Sequence, residues 1–208
     1  MKVALIRGKW HSIWESLACG YLKSYTEDLV EPDDYSFYDG YFDSDEEIVA
    51  GASEADIVGF SGTTSQMPWS LRIAERIKER NEDSRIVLGG YGPSVSPGIY
   101  AEDSRCDLVI AGEGERPWRR ILGSAGWEWH DKVVYEPPIA DLDSIPFPDR
   151  DFIKVERCID VAKREEGRRV TGILGNRGCL RRCKFCADGT PKTIYGVALR
   201  ERSSLDIL

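Results

Sequence analysis

The chain has 208 residues, 41% hydrophobic and 31% charged, with a mean hydropathy of −0.38. This is ordinary soluble-globular composition, enough for one sizeable core and a smaller unit, and no apolar run approaches the roughly 20 residues of a membrane span. A formal net charge of −8 and a pI near 5.0 argue against general nucleic-acid binding through a basic surface.

The N-terminus, MKVALIRGKW, lacks the long apolar region and small-residue cleavage site of a signal peptide, so it reads as a first strand and the expected compartment is the cytoplasm. From there to residue 122, β-rich runs alternate with helical patterns. Val3–Ile6, Ser36–Tyr38, Asp56–Phe60, Arg85–Leu88 and Asp107–Ile110 are predicted strands. Ile13–Tyr25, Glu46–Ser53, Trp69–Arg80 and Arg116–Leu122 are predicted helices, with a short turn near Pro97–Glu102. The third helix is the clearest: Leu71, Ile73, Ala74 and Ile77 share a face, and charged side chains take the other. Runs such as DIVGF and RIVLGG are apolar nearly throughout, as expected when both sheet faces are covered. Strand–helix alternation with short connections predicts an α/β fold, a Rossmann-like, doubly wound parallel sheet of about five strands.

Ligands of such sheets sit beyond the carboxyl ends of the strands. The segments there are Gly8-Lys9-Trp10, Ser61-Gly62-Thr63-Thr64-Ser65, Gly89-Gly90-Tyr91-Gly92 and Gly112-Glu113-Gly114-Glu115. Glycine lets a backbone approach a ligand closely, and hydroxyls can donate to it. Any one of these segments is an ordinary tight turn; all four on one rim predict the lining of a large, flat ligand.

Residues 136–150, EPPIADLDSIPFPDR, contain Pro137, Pro138, Pro146 and Pro148 and read as a linker between a first domain over 1–135 and a further unit over 151–208. In that unit Arg169–Leu174 is a predicted strand, and Ser203-Ser204-Leu205-Asp206 has the pattern of a helix N-cap. Acidic side chains crowd residues 27–57 and basic ones residues 163–184. The acidic stretch reads as a solvated face, whereas the basic one surrounds the cysteines and could hold an anionic cofactor or substrate.

Three cysteines, Cys19, Cys106 and Cys158, are scattered; the other three, Cys179, Cys183 and Cys186, have C-x3-C-x2-C spacing. In a chain read as cytoplasmic, that clustering points to metal or redox chemistry before disulfides. Thiolates so close together can wrap one iron–sulfur cubane, and three ligands leave one iron open to a substrate atom. Zinc needs four ligands, and the nearest extra donors, Cys158 and His130, lie well upstream.

With Phe185 at the aromatic position, this motif resembles the signature of radical S-adenosylmethionine enzymes. IADLDSIPFPDRDF and RVTGILGNRGCLRRCKFC resemble the linker and first barrel strand of the branch that carries an N-terminal cobalamin-binding domain. ADIVGFSGTTSQ, LGGYGPS and AGEGE resemble that domain itself. The resemblance implies a [4Fe–4S] cluster on the three cysteines and S-adenosylmethionine on its open iron, with Phe185 near the adenine. It implies reductive cleavage to a 5′-deoxyadenosyl radical and, in this branch, methyl transfer from a cobalamin. It further implies a flavodoxin-, ferredoxin- or reductase-type electron donor and a small-molecule or peptide substrate, which no residue identifies. Contacts to cobalamin are expected from Ser61, Thr63, Thr64, Gly89, Gly90, Gly112, Glu113 and Gly114. No Asp-x-His-x-x-Gly segment is present and the histidines are His11 and His130, so the corrinoid is expected base-off; Gly92 stands where similar proteins often carry histidine. Residues 151–208 would then be the opening part of a (β/α) barrel. A complete barrel uses about 250 residues, so the chain reads as the inactive amino-terminal portion of a longer enzyme, with residues 151–208 loosely packed or exposed. The alternative is a cobalamin-binding module whose cysteine motif is vestigial.

Overall fold

The apolar runs form strands β1 (Val3–Arg7), β2 (Tyr35–Asp39), β3 (Ile57–Ser61), β4 (Arg85–Gly89) and β5 (Leu108–Ile110), joined by a two-residue β6 (Val133–Val134). The structure, a computed structural model, describes residues 1–10, 14–123, 131–181, 183, 185–186 and 199–207. All six strands run parallel in the order β2-β1-β3-β4-β5-β6, so the Rossmann-like sheet is present with six strands where about five were expected. Helices α1 (Leu17–Tyr25), α2 (Asp45–Ala52), α3 (Met67–Arg80), α4 (Tyr91–Val95), α5 (Pro97–Ala101) and α6 (Glu115–Gly123) fill the connections. Strand order reverses between β1 and β3, the switch point at which such sheets leave a crevice.

Period-two alternation sends the strand side chains to two cores. Ala4, Ile6, Val58, Phe60, Ile86 and Leu88 meet Ile48 and Val49 of α2 and Ile73, Ala74 and Ile77 of α3. Val3, Leu5, Phe37, Ile57, Val87 and Ile110 meet Cys19 of α1 and Trp118, Ile121 and Leu122 of α6. Helix α2 opens on a reciprocal cap: the Glu47 N–H donates to Ser44 Oγ at 3.2 Å, and the Ser44 N–H donates to the Glu47 carboxylate at 2.9 Å.

Residues 136–150 form one 3₁₀ turn, Leu142–Ser144, and bury Ile139, Leu142 and Ile145 beside Tyr21 of α1. A helix that the sequence reading omitted follows, α7 (Val155–Glu166). Its signal was available: Val155, Cys158, Ile159 and Ala162 recur at helical spacing and are buried, and Gly167 ends the helix in the left-handed region at φ 74°. Phe152, just before it, packs against Tyr35 and Phe37 of edge strand β2, and Arg157 pairs with Asp43 at 2.7 Å. Loose packing beyond the linker is therefore not found over residues 151–166.

The predicted strand at Arg169–Leu174 is absent. Its backbone bonds go elsewhere: the Gly172 N–H donates to Glu15, and the Gly172 carbonyl accepts from Arg150 at 2.7 Å. A short antiparallel ladder forms instead between β7 (Asn176–Arg177) and β8 (Arg200–Glu201). Helix α8 (Ser204–Ile207) then starts on the expected cap, the Asp206 N–H donating to Ser203 Oγ at 3.2 Å. Among the described residues no helix is long and apolar enough to cross a membrane.

Candidate functional site

Parallel register aligns Asp39, Arg7, Ser61 and Gly89 in one row across the carboxyl ends of β2, β1, β3 and β4. The row beneath is Phe37, Leu5, Gly59 and Val87, on the same face. One glycine interrupts each row, Gly89 of β4 in the first and Gly59 of β3 in the second, and a cavity of about 470 Å³ opens over them. Leu5, Val87, Ile110 and Trp118 line its floor; Leu17, Tyr21 and Leu22 of α1 form a wall. A Cβ on Gly59 would lie 2.9 Å from both Leu5 and Trp118, so the indole occupies the space a side chain would need. At Gly89 a Cβ would meet nothing closer than 3.8 Å, so this position faces open cavity.

The rim is built from the loops after β1, β3, β4 and β5. Gln66 joins the first two: its Nε2 donates to the Gly8 carbonyl and its Oε1 accepts the Thr63 N–H, both at 2.7 Å. Sequence reasoning did not single out Gln66, because a lone amide at a helix start carries no local signal. Gly90 has φ 91°, and its absent Cβ would fall 2.7 Å from the Gly62 carbonyl oxygen, so two rim loops meet there at backbone distance. Arg7 and Asp39 form a buried ion pair at 2.9 Å beside the cavity, with Asp39 also accepting the Tyr41 N–H.

Glu15 stands in the same wall and holds the segment after the linker. It accepts from Thr171 Oγ1 and the Gly172 N–H at 2.7 Å and from Arg150 Nη1 at 3.2 Å. Burial alone would push this carboxyl up, but the hydrogen bonds from Thr171, the backbone and Arg150 together hold it below the ordinary glutamate value of 4.5. A depressed carboxylate contributes stability that is present above the unfolded value and is lost as pH falls through the folded one. Glu15→Gln is therefore expected to flatten the fall of the thermal midpoint at pH below 4.5. Melts of both proteins across the acid range check this; an unchanged acid limb would remove Glu15 as its source.

Of the residues predicted to contact a ligand, Ser61, Thr63, Gly89, Gly90, Gly112, Glu113 and Gly114 all line the cavity, and Thr64 does not. Leu174 and Arg177, from beyond the linker, line it too. Glu113 uses its carboxylate within the protein, accepting the Ile139 N–H at 2.9 Å and pairing with Arg200 at 2.5 Å. Cys179 and Cys186 are half-buried and Cys183 is exposed, with the Cys186 N–H donating to the Cys183 carbonyl at 3.1 Å. Phe185 projects almost wholly into solvent. Among the described residues no three Cys, His, Asp or Glu side chains gather round a metal position. His11, His130, Arg182 and Lys184 lie outside the described residues.

The other cysteines behave differently. Burial pushes the thiols of Cys19 and Cys106 up to about 12 and that of Cys158 up to about 11. Cys19 and Cys106 also belong to opposite cores. They are packing residues, and the more accessible thiols are those of the C-x3-C-x2-C segment.

Residues 3–122 match the family model described as the B12 binding domain. An uncharacterized methyltransferase of Pyrococcus horikoshii is 29% identical over 150 residues, which are 64% of this chain and 32% of that protein. The anaerobic magnesium-protoporphyrin IX monomethyl ester cyclase of Synechocystis is 26% identical over 154 residues, covering 68% of this chain and 30% of that protein. A third relative, the 2-(S-pantetheinyl)-carbapenam-3-carboxylate methyltransferase of Streptantibioticus cattleyicolor, is 29% identical over 110 residues, 51% of the chain and 16% of that protein. The matched part of the chain thus spans at most 32% of the length of these relatives.

Proposed function

The chain belongs to the B12-binding domain family, and from that premise we propose that it holds cobalamin at the glycine rim and a [4Fe–4S] cluster on Cys179, Cys183 and Cys186, as the amino-terminal portion of a radical S-adenosylmethionine enzyme. The observation that carries this reading is the junction between the two sites. Leu174 and Arg177 line the same cavity as Gly59 and Gly89, so the segment that leads into the cysteine motif reaches the cavity wall. The relatives named as methyltransferases and as a cyclase agree with a chain that serves an enzyme, and methyl transfer is the reaction proposed.

The site fits a corrinoid in its chemistry. Gly89 leaves an open cradle, Leu5, Val87 and the Trp118 ring over Gly59 provide an apolar floor, and Ser61 and Thr63 offer hydroxyls at the rim. Gly90, Gly112 and Gly114 line the same cavity from the loops after β4 and β5. When bound, cobalamin would supply a methyl carrier and the cluster an electron for cleavage of S-adenosylmethionine. The residues of this chain bind and orient: Gln66 fixes the spacing of two rim loops, Trp118 excludes water, and the three thiolates donate sulfur. Phe185 is proposed to cover the adenine once the loop is loaded. A flavodoxin- or ferredoxin-type reductant, a small-molecule or peptide substrate and a cytoplasmic setting belong to the same proposal.

Two titrations test it. Hydroxocobalamin added to the purified chain is expected to give the spectrum of a base-off corrinoid; no binding would overturn the corrinoid half. Anaerobic loading with iron and sulfide is expected to give about four iron per chain, with a large loss in Cys179→Ala. Zinc, or no metal, at those thiols would overturn the cluster half and leave a corrinoid-carrying module.

A further inference from the structure

The ladder between β7 and β8 closes the neck of the loop that carries all three clustered cysteines, since that loop runs from Gly178 to Leu199. In this ladder Arg177 stands directly opposite Arg200. Opposed side chains in an antiparallel pair are about 5 Å apart, and like charges there are destabilising. Both arginines are nearly buried, at 5% and 10% side-chain exposure, so water does not screen them. Such a pair is stabilised by compensating carboxylates, and Arg200 donates to the Ile139 carbonyl as well.

The loop after β5 supplies them. Glu113 pairs with Arg200 at 2.5 Å through Oε1 and with Arg177 at 3.6 Å through Oε2, while Glu115 pairs with Arg177 at 2.6 Å. Glu113 is itself held by the Ile139 N–H of the linker. Two arginines and two glutamates make a neutral buried quartet, with the Tyr21 ring 5.3 Å from the Arg177 guanidinium.

We propose that Glu113 is a positioning residue for the cysteine loop: its carboxylate clasps the two arginines facing each other at the neck, so the folded sheet domain fixes where the loop leaves and where it returns. The inference deepens the cluster reading and rests on it only where iron is counted; closure of the neck is measured without metal.

The test uses the full chain in four forms: wild type, Glu113→Gln, Arg200→Gln and the double variant. Amide exchange at residues 177, 200 and 202 reports the neck, because these N–H groups lie in the hydrogen-bonded pairs of the ladder, and alkylation of Cys179 reports the loop. Glu113→Gln is expected to raise both by about ten-fold or more and to lower iron taken up per chain. The double variant is expected to recover most of the protection, because removing one of two facing charges relieves the repulsion that the glutamine exposes. A merely structural loss at residue 113 would not be rescued by a second deletion. Unchanged exchange in Glu113→Gln, or no recovery in the double variant, overturns the proposal. Should Glu113→Gln fail to unfold cooperatively, a restored transition in the double variant supports the clasp and its continued absence overturns it. A wild type that takes no iron, with a neck that still opens in Glu113→Gln, overturns the cluster reading alone.

Discussion

Replacing Gly89 by leucine is expected to abolish corrinoid binding, with a loss of at least about 100-fold in affinity, or ~2.7 kcal/mol, while leaving the fold standing. Gly89 is the last residue of β4, on the cavity face, paired with Ser61. Its backbone is not in the left-handed region, and a Cβ there makes only ordinary contacts, at 3.8 and 3.9 Å. A leucine can therefore be accepted by the strand and point into the space between floor and rim, where it removes volume a ligand needs. Urea unfolding should move by less than about 1 kcal/mol, which separates blockage from unfolding. Gly90 would be a poor substitute for this test, because a Cβ there strikes the Gly62 backbone and disturbs the rim itself. Wild-type titration behaviour in Gly89→Leu would mean that the cavity is not where the corrinoid sits.

Trp118→Ala carries the largest expected cost in stability, about 3–5 kcal/mol. The indole is the largest of the fully buried side chains, 1% exposed, and packs against Leu5 and over Gly59. Its removal leaves a void that the sheet cannot close, because the strands beneath are fixed by neighbours on both sides. Against a typical total of about 5–15 kcal/mol, that loss would bring the chain near its unfolding threshold. Trp118→Phe should recover much of it. Gly59→Val should destabilise from the opposite side, by about 1–3 kcal/mol, since its added methyl groups compete with the same ring. Equilibrium unfolding in urea checks all three; a shift below about 1 kcal/mol for Trp118→Ala would show that the floor bears little of the core.

The two effects separate what the glycines do. Gly59 is filled from below by an aromatic ring, and Gly89 is left open above it. One glycine therefore makes room for the core and its neighbour keeps the cavity clear, although both read alike in the strands DIVGF and RIVLG.

Much of the sheet domain was legible before any tertiary structure. Apolar runs bounded by glycine marked β1 to β5 to within a residue or so, and helical periodicity marked α3, because a buried face imposes its spacing on the residues that form it. The short β6 has too few residues to show a period, and in α7 the regular buried face stands among charged residues that mask it. Arg169–Leu174 had strand composition, yet Glu15 and Arg150 took its backbone groups. Local preference gave way there to partners far away in the chain.

The amino-acid order alone determined the α/β class, the glycine-rich rim at the strand ends and the three closely spaced thiols, since each is written in neighbouring residues. Only the tertiary structure decided that Glu113 would grip arginines rather than stand free at the rim, that Arg7 would meet Asp39, and that Leu174 and Arg177 would close the cavity. Charge pairs and cavities depend on where distant segments return to the sheet. Periodicity records what an element must bury, but not which partner comes back to cover it.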